Sequence, residues 1–291
     1  MLKRSAAIAL GLTLLAPNTI FAATAATPAT PATPAAPAAA PAVQSEDLGL
    51  ELTKQFLMAD AWFQNSGEAK ALYYQGYNLA SLMLDKDLAD KTVTKKRAVI
   101  VDVDETVLDN SPNNVRMMME GKEFNPDSWN EWVGLAQAKA LPGAVEFLNK
   151  ADQNGVDVYY VSNRTVDQIP ATIKNLQAAG FPQAVESHLL FKDDVSSKEP
   201  RRQQIEQDHH IVLLVGDNLV DFAQVFETKN QADRNKAVDE LKEKFGQSFI
   251  ILPNPMYGDW ETALYGEQKL TQEQKLQARE AALTSYESAK K

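Results

Sequence analysis

The chain contains no cysteine among its 291 residues. Disulfide bonds are therefore excluded, so the folded state must be held together by a hydrophobic core and by any bound metal. Long apolar runs are also lacking, because the longest candidate, residues 6–16, is too short for a helix that spans a bilayer. The 44% of hydrophobic residues is nevertheless enough to bury a core, and the length allows about two domains.

Positive charge is scarce, since 29 lysines and arginines face 39 acidic residues and the net charge is −10. A nucleic-acid backbone would be repelled by such a chain, which argues against nucleic-acid binding. A small phosphate ester remains an acceptable ligand if a metal ion and a lysine reverse the field locally. Histidine is scarce too, and none of the three lies in a recognisable haem-binding motif: His188, His209 and His210.

The first 45 residues have a composition of their own. Lys3 and Arg4 precede the apolar run, and small residues around Ala22 to Ala25 offer cleavage sites, which predicts a signal peptide over residues 1–25. Residues 26–45 are rich in proline and alanine and predict an extended, semi-stiff linker. We therefore expect an exported protein, either periplasmic or secreted.

Residues 98–109, AVIVDVDETVLD, are the most informative segment. An apolar, β-branched run predicts a buried strand, and it ends in two carboxylates, Asp102 and Asp104. In an open parallel sheet the carboxyl ends of the strands face the ligand crevice, so acidic residues placed there indicate chemistry. In the middle of the sheet they would be desolvated at great cost.

Three further segments repeat this construction: VDVYYVSNR (156–164), HIVLLVGDN (210–218) and SFIILPNP (248–255). Helical patterns at 168–179, 198–207 and 231–245 lie between strands, so strands and helices alternate. This alternation predicts an α/β fold with a doubly wound, Rossmann-like parallel sheet and a smaller helical part. Sharing one edge of the sheet, the strand ends would bring together Asp102, Asp104, Ser162, Asn163, Arg164, Asp217, Asn218 and Asp221.

The same residues resemble the motifs of the haloacid-dehalogenase (HAD) superfamily of phosphotransferases. DVDET matches its first motif, VSNR fits the second, Lys198 in SSKEPRR fits the third, and GDNLVDF fits the fourth. Together with LPNPMYGDWE, the set resembles the class C (DDDD-type) bacterial acid phosphatases and 5′-nucleotidases of the cell envelope, over residues 47–266. Such enzymes are commonly lipoproteins acylated on a cysteine, so we expect no lipid anchor of that kind here. Dimerisation is typical of them, and a homodimer is possible.

The chemistry of phosphate-ester hydrolysis assigns roles to these residues. A carboxylate can attack phosphorus to form an aspartyl phosphate, and we assign that step to Asp102. Asp104 would protonate the leaving oxygen and then deprotonate the attacking water, which would set an acidic optimum. Ser162 and Lys198 would bind phosphoryl oxygens, and Asn163 and Arg164 are candidate substrate contacts.

A Mg²⁺ ion would complete this site, because it prefers oxygen ligands, and Asp102 and Asp217 can supply them. The resemblance implies the backbone carbonyl of Asp104 as a further ligand, and Asp221 would hold the outer shell of waters.

Each motif also has an ordinary alternative. Asp-x-Asp can be a helix cap, GDN a turn, and Lys198 with Arg201 and Arg202 a solvated helix face. Four motifs in the right order outweigh these alternatives.

Two helical regions accompany the core (residues 96–266). One is N-terminal, residues 46–95, with Leu48, Leu52, Phe56, Ala59 and Phe63 on one face, followed by an aromatic-rich half. The other is an insertion at residues 110–141, where HAD relatives carry a cap over the crevice. Both are expected to form a helical part over the crevice, and a charged, peripheral helix is expected in residues 267–291.

Aromatic residues near the crevice are candidate substrate contacts. Trp129, in the insertion, and Tyr257, after the last strand, could stack on a nucleobase, and the resemblance supports both positions. Core packing is the alternative for each of them. It is the commoner role for two tryptophans three residues apart in a helix, as Trp129 and Trp132 are.

We therefore expect a Mg²⁺-dependent acid phosphatase that hydrolyses 5′-nucleotides for nutrient salvage, with nicotinamide mononucleotide as a further candidate substrate. Two alternatives stay open. One is a phosphotransferase that passes the same aspartyl phosphate to an alcohol, and the other is a non-catalytic surface protein that only binds a ligand.

Overall fold

The computed structural model describes residues 45–286. The predicted signal peptide and all but the last residue of the predicted linker lie outside this range, as do the last five residues of the C-terminal region. Among the helices of residues 45–286, none combines the length and the apolar character that crossing a membrane requires.

The described chain alternates strands and helices. Its strands are β1 (Lys96–Val101), β2 (Leu108–Asp109), β3 (Lys139–Ala140), β4 (Asp157–Thr165), β5 (Leu189–Lys192), β6 (His209–Gly216) and β7 (Phe249–Ile251). Its α-helices are α1 (Ser45–Lys54), α2 (Leu57–Asn65), α3 (Gly67–Ala89), α4 (Ser111–Met119), α5 (Pro126–Leu135), α6 (Ala144–Gln153), α7 (Ile169–Ala178), α8 (Glu199–Asp208), α9 (Gln231–Glu240), α10 (Asp259–Tyr265) and α11 (Gln272–Ala281).

Five strands form one parallel sheet in the order β5-β4-β1-β6-β7, and β2 pairs with β3 in a separate antiparallel ribbon. Alternate residues of β1 pack on opposite faces of the sheet, because successive side chains along a strand point to opposite sides. Val99 and Val101 pack with residues of α3 and α6, whereas Ala98 and Ile100 pack with residues of α8 and α9. The predicted doubly wound parallel sheet is therefore confirmed.

The sheet has one strand more than the four predicted. β5 is only four residues long and pairs in parallel with β4 at the edge of the sheet. Leu189 and Phe191 are buried while their neighbours are half-buried, so its alternation is correct for a strand. The segment is too short to stand out from the loops around it, and pairing with β4 is what makes it a strand.

The N-terminal helical region divides into three helices with different neighbours. The apolar spacing from Leu48 to Phe63 is interrupted at residues 55–56, between α1 and α2, which both contact α4. Helix α3 instead lies against the sheet, where Tyr73 and Tyr77 are almost fully buried. Its aromatic residues therefore face the core, except for the exposed Tyr74.

The C-terminal helix α11 is tied to this N-terminal part through one arginine. Arg279 donates to the carbonyl of Leu52 (2.8 Å) and to a carboxylate oxygen of Glu261 (2.6 Å), and its guanidinium lies over the ring of Phe56. Leu276 of the same helix is buried. The charged helix expected at this end is thus present and packed against α1 and α10.

One buried carboxylate lacks hydrogen-bond partners in the described part of the chain. Asp60 in α2 is 3% exposed, and neither of its oxygens has a hydrogen-bond partner within residues 45–286. Burial raises the pKa of Asp60 from its ordinary 3.8 to about 6. Because the folded state disfavours the charged form, Asp60 destabilises the protein once the pH rises above the unfolded pKa, and the full cost is reached above about 6.

We expect Asp60→Asn to raise the free energy of unfolding at pH 7 by roughly 1–3 kcal/mol, because the buried charge is removed. The gain should shrink as the pH falls towards 4, because Asp60 is then protonated in the folded wild-type protein and little of the cost of a buried charge remains. Urea unfolding of both proteins at the two pH values measures it. Asp85→Asn, at a half-exposed ion pair with Lys150, is the control and should change little. Equal effects of Asp60→Asn at both pH values would contradict the burial argument.

Candidate active site

The predicted motif residues meet at the carboxyl edge of the sheet. Asp102 directly follows β1, and its N–H donates to the carbonyl of Val215 in β6 (2.9 Å), which fixes the start of the loop after β1. Lys198, just before α8, donates through Nζ to Asp102 Oδ1 and to Asp221 Oδ1, the second at 2.6 Å. All three side chains are buried. The convergence expected from topology therefore brings the first, third and fourth motifs into direct contact.

Three carboxylates form a compact oxygen cluster beside this lysine. Asp102, Asp217 and Asp221 each offer one oxygen, and the three atoms lie within 4.8 Å of one another. Burial raises the pKa of Asp102 to about 7, with further contributions from Asp221 and Asp104 and against the opposing charge of Lys198. Burial, followed by the charges of Asp221 and Asp102, also raises the pKa of Asp217 well above its usual range.

Lys198 alone does not balance this cluster. Burial would lower its pKa, but the charges of Asp102 and Asp221 outweigh that effect and hold the lysine protonated. Three carboxylates, two of them buried and Asp217 half-buried, against one ammonium leave an excess of negative charge, which a divalent cation would neutralise. All the donors are hard oxygens, the kind that Mg²⁺ and similar ions prefer. The residues present therefore fit a metal ion.

Local structure after β6 explains the spacing of the fourth motif. Gly216 ends the strand, and a Cβ at this position would collide with the carboxylate of Asp221. Only glycine permits that approach. Asp221 Oδ2 in turn accepts the N–H of Asn218 (2.9 Å) across a short 3₁₀ turn. This hydrogen bond fixes the orientation of the Asp221 carboxylate within the oxygen cluster.

Asp104 belongs to a second group of residues, on the β4 side of the crevice. Its Oδ1 accepts three N–H groups: Arg164 Nε (2.9 Å), Arg164 Nη2 (2.8 Å) and Asn110 Nδ2 (2.8 Å). Its Oδ2 accepts the hydroxyl of Ser162 (3.2 Å). Arg164, a predicted substrate contact, is only 3% exposed and is directed at Asp104. Hydrogen bonds from Ser162 and Arg164 of the second motif to Asp104 of the first motif therefore connect the two motifs.

The pattern of the first motif did not reveal how its loop is supported from α3. Tyr73 donates its hydroxyl to the carbonyl of Glu105 (2.5 Å), and Tyr77 donates to the carbonyl of Thr106 (2.7 Å). Glu105 adopts a left-handed backbone conformation with φ of 53°, which is uncommon outside glycine. Two tyrosines four residues apart in the aromatic-rich N-terminal segment were the available signal for this support.

Asp217 is oriented by two side chains that sequence reasoning also missed. Thr106 donates its hydroxyl to Asp217 Oδ1 (3.1 Å), and Asn254 donates Nδ2 to Asp217 Oδ2 (2.8 Å). Thr106 is the last residue of DVDET, and Asn254 follows β7 in LPNP. Both lie in loops that follow strands at this edge of the sheet, and that position was the only signal for them.

The two arginines of the third motif are structural links and not a solvated face. Arg201 donates to the carbonyl of Ser162 (2.6 Å) and to Asn163 Oδ1 (2.7 Å), so the exposed Asn163 is already engaged. Arg202 is 5% exposed and donates to the carbonyl of Asp221 (3.0 Å). The alternative of a solvated helix face is therefore wrong for Arg202, because its guanidinium satisfies buried carbonyls.

The insertion forms helices α4 and α5 beside the crevice. Trp132 packs against the main core and donates Nε1 to Asn110 Oδ1 (2.8 Å), which is a structural role. Trp129 is half-buried, and the guanidinium of Arg164 lies 5.4 Å from the centre of its ring. Gln168 after β4 donates to Asn130 Oδ1 (2.5 Å) and ties α5 to the sheet.

The loop after β7 places Tyr257 against the hydrophobic core on the α3 and α6 side of the sheet, where the tyrosine is half-buried. Its carbonyl accepts Nε1 of the exposed Trp260 (3.1 Å). Part of the Tyr257 surface is therefore buried by packing beneath the loop, which is one of the two roles considered for this residue. The remaining surface is available to a ligand.

Comparison with known proteins agrees with this geometry. Residues 36–260 match the family described as HAD superfamily, subfamily IIIB (acid phosphatase). The structure of the class C acid phosphatase from Bacillus anthracis is 50% identical and has a TM-score of 0.78, over 81% of this chain and 100% of that chain. The same enzyme with tungstate bound aligns at 49% identity and a TM-score of 0.77, with the same coverage. The stem 31 kDa glycoprotein of Glycine max is 27% identical over 215 residues, which are 72% of this chain and 73% of that protein.

Proposed function

The chain belongs to subfamily IIIB of the HAD superfamily, the acid phosphatases, and from this premise we propose that it is a Mg²⁺-dependent 5′-nucleotidase that works through an aspartyl phosphate. We propose further that it acts outside the cytoplasm, as its N-terminal composition predicts, and that nicotinamide mononucleotide is among its substrates. The observation that carries the proposal is the contact of Lys198 with both Asp102 and Asp221, next to Asp217 and within one crevice.

The first step is attack of a carboxylate oxygen of Asp102 on phosphorus. A P–O bond forms to Asp102, the P–O bond to the leaving alcohol breaks, and Asp104 gives a proton to the leaving oxygen. In the second step Asp104 takes a proton from water, the water oxygen bonds to phosphorus, and the bond to Asp102 breaks to release phosphate. The separate hydrogen-bond networks of Asp102 and Asp104 support two distinct roles for these carboxylates.

Positive charge for the phosphoryl oxygens comes first from Lys198, whose buried ammonium already lies against the proposed nucleophile. The hydroxyl of Ser162, on the other side of Asp104, is a candidate donor to the same oxygens. Asp102, Asp217 and Asp221 would hold Mg²⁺, which when bound supplies further charge stabilisation of the phosphoryl group.

Preference for nucleotides would come from the aromatic residues around the crevice. Trp129 stands beside the Arg164–Asp104 pair and has exposed surface, so a base could stack on it. Stacking of a base on an aromatic side chain contributes about 1–3 kcal/mol. Tungstate in the related Bacillus anthracis enzyme is a tetrahedral oxyanion like phosphate, which supports a phosphoryl site of this shape here.

The test is phosphate release from 5′- and 3′-nucleotides, nicotinamide mononucleotide and an aryl phosphate at acidic pH, with Mg²⁺ or with EDTA. Metal-dependent release that favours 5′-nucleotides is the expected result. Adding a nucleoside acceptor tests for phosphotransfer in the same assay. Release from the aryl phosphate alone would overturn the nucleotidase part of the proposal, and no release at all would leave a ligand-binding protein.

We expect Trp129→Ala to raise KM for a 5′-nucleotide by about 5- to 150-fold, the range that corresponds to loss of one stacking contact. KM for glycerol phosphate, which has no ring to stack, should change little. Steady-state kinetics on both substrates measures the difference. Tyr74→Ala, which removes an exposed aromatic ring from α3, serves as the matched control. Equal increases for both substrates would assign Trp129 a structural role.

A further inference from the structure

Arg164 lies next to Asp104 in the proposed phosphate-binding crevice, yet its side chain is almost completely buried. Only 3% of it is exposed, and its guanidinium donates to Asp104, to Thr172 Oγ1 (2.9 Å) and to Asn110 Oδ1 (3.2 Å). A free phosphate-binding arginine would be expected to direct its donors towards the ligand. Here the donors are directed into the protein, so a direct contact with the phosphoryl group does not explain the side chain.

The effect on Asp104 is asymmetric. Both Arg164 contacts and that of Asn110 end on Oδ1, whereas Oδ2 has the Ser162 hydroxyl as its partner within the described structure. Three N–H donors occupy Oδ1, so its lone pairs are used, and the rotation of the carboxylate about its Cβ–Cγ bond is fixed. Oδ2, whose partner is the buried hydroxyl of Ser162, is therefore the oxygen that remains for exchange with a reacting group.

The arginine is itself immobilised. Thr172, in α7, accepts from Nη1, and its own hydroxyl donates to the carbonyl of Gln168 (2.9 Å), so the guanidinium is anchored from behind. The ring of Trp129 in α5 lies 5.4 Å from the guanidinium carbon on another side. A planar cation held by these groups can fix a carboxylate to within the small tolerance that proton transfer demands.

We propose that Arg164 is a positioning residue for proton transfer: it holds Asp104 Oδ1 so that Oδ2 meets the oxygen that leaves phosphorus. This inference rests on the proposed function. It assigns to Arg164 an action through Asp104 and no contact with the substrate, in place of the substrate contact predicted from the VSNR motif.

This role has a signature that a structural or phosphate-binding role lacks. An alkoxide is a poor leaving group and needs the proton that Asp104 supplies, whereas 4-nitrophenolate leaves readily without one. General acid catalysis is worth roughly 10²–10⁴-fold where it is needed. The ratio kcat/KM includes only the steps up to release of the leaving group, so it isolates this requirement from the later attack of water.

The experiment compares kcat/KM for glycerol phosphate and for 4-nitrophenyl phosphate in the full chain with Mg²⁺ present. Arg164→Gln is expected to lower kcat/KM for the alkyl ester at least ~10-fold more than for the aryl ester. Asp104→Asn should show the same selectivity more strongly. Arg164→Lys keeps the buried charge, and with it the fold, but not the paired donation from Nε and Nη2, so its selectivity should fall between wild type and Arg164→Gln.

Arg279→Gln removes a partly buried arginine–glutamate pair outside the crevice and is the matched control. It should leave the ratio of the two kcat/KM values unchanged. Equal losses on both esters in Arg164→Lys and Arg164→Gln would overturn the inference while leaving the phosphatase activity of the wild type in place. An inactive wild-type protein would instead overturn the proposed function.

Discussion

Replacing Asp102 by asparagine is expected to lower kcat by at least ~10⁴-fold while leaving the fold intact. The amide has the shape of the carboxylate but is a far weaker nucleophile towards phosphorus, so the aspartyl phosphate cannot form. Stability should not suffer, because Lys198 keeps its hydrogen bond to Asp221 and one carboxylate of a crowded cluster of three is removed. Steady-state assays with 4-nitrophenyl phosphate, together with thermal unfolding, measure the two effects.

Asp109→Asn is the matched control for this experiment. Asp109 lies in the same segment, but its carboxylate accepts from the N–H (2.9 Å) and the hydroxyl (2.5 Å) of Ser111 at the start of α4, away from the oxygen cluster. Its loss should cost stability of about 1 kcal/mol and little activity. Full activity in Asp102→Asn would remove Asp102 from the role of nucleophile, and equal loss in both variants would point to damage of the whole segment.

Removing divalent metal with EDTA is expected to abolish turnover, and adding Mg²⁺ should restore it. Without the cation, Asp102, Asp217 and Asp221 leave excess negative charge where a phosphate dianion must bind. The same binding should be visible without any substrate, because a ligand that binds only the folded state stabilises it. At 100 times its Kd, Mg²⁺ would add about 2.7 kcal/mol, which thermal unfolding resolves as a rise in Tm.

The size of this stabilisation should depend on pH. The raised pKa values of Asp102, to about 7, and of Asp217 mean that the metal-free folded state favours protonated carboxyls. Their contribution to stability is present below the ordinary pKa of 3.8 and is lost as the pH rises towards 7. Mg²⁺ competes with these protons, so its effect on Tm should be larger at pH 7 than at pH 5.

Asp217→Asn tests the assignment of the site. The metal-free variant should be at least as stable as the metal-free wild type at pH 7, because it lacks a carboxyl group whose ionised form is disfavoured by desolvation and by the charges of Asp221 and Asp102. It should also lose most of the Mg²⁺-dependent rise in Tm. An unchanged rise in this variant would place the metal elsewhere, and activity that survives EDTA would rule out the metal requirement.

The local pattern of the chain was sufficient for the main features of the sheet. A β-branched run followed by Asp102 and Asp104 predicts both a buried strand and a polar strand end, since both follow from side chains close together in sequence. The same reasoning found β4, β6 and β7, and it missed β5 because four residues carry too weak a pattern without a neighbouring strand. It also placed α7, α8 and α9 within a few residues of their observed bounds, although the last expected helix gives way to a short 3₁₀ turn near its end.

The residues that hold the site were not accessible in this way. Tyr73 and Tyr77 support the first motif from α3, about thirty residues earlier, and they read in the sequence only as apolar helix positions. Arg202 looked like part of a charged surface because neighbours in sequence do not reveal the carbonyls of Val220 and Asp221 that it meets. Burial and partner choice for long polar side chains depend on which strands become neighbours.

By itself, the sequence determined the class of fold, the edge of the sheet where the chemistry lies, and the identity of its acidic residues, because those properties follow from short-range periodicity and from motif order. Only the tertiary structure decided how the carboxylates divide. Asp102 and Asp221 bind Lys198 and form an oxygen cluster with Asp217, whereas Asp104 binds Arg164, sixty residues away in the chain. The physical reason is that a buried charge is stable only beside a partner, and the packing of β1 against β4 and β6 selects which partner each carboxylate meets.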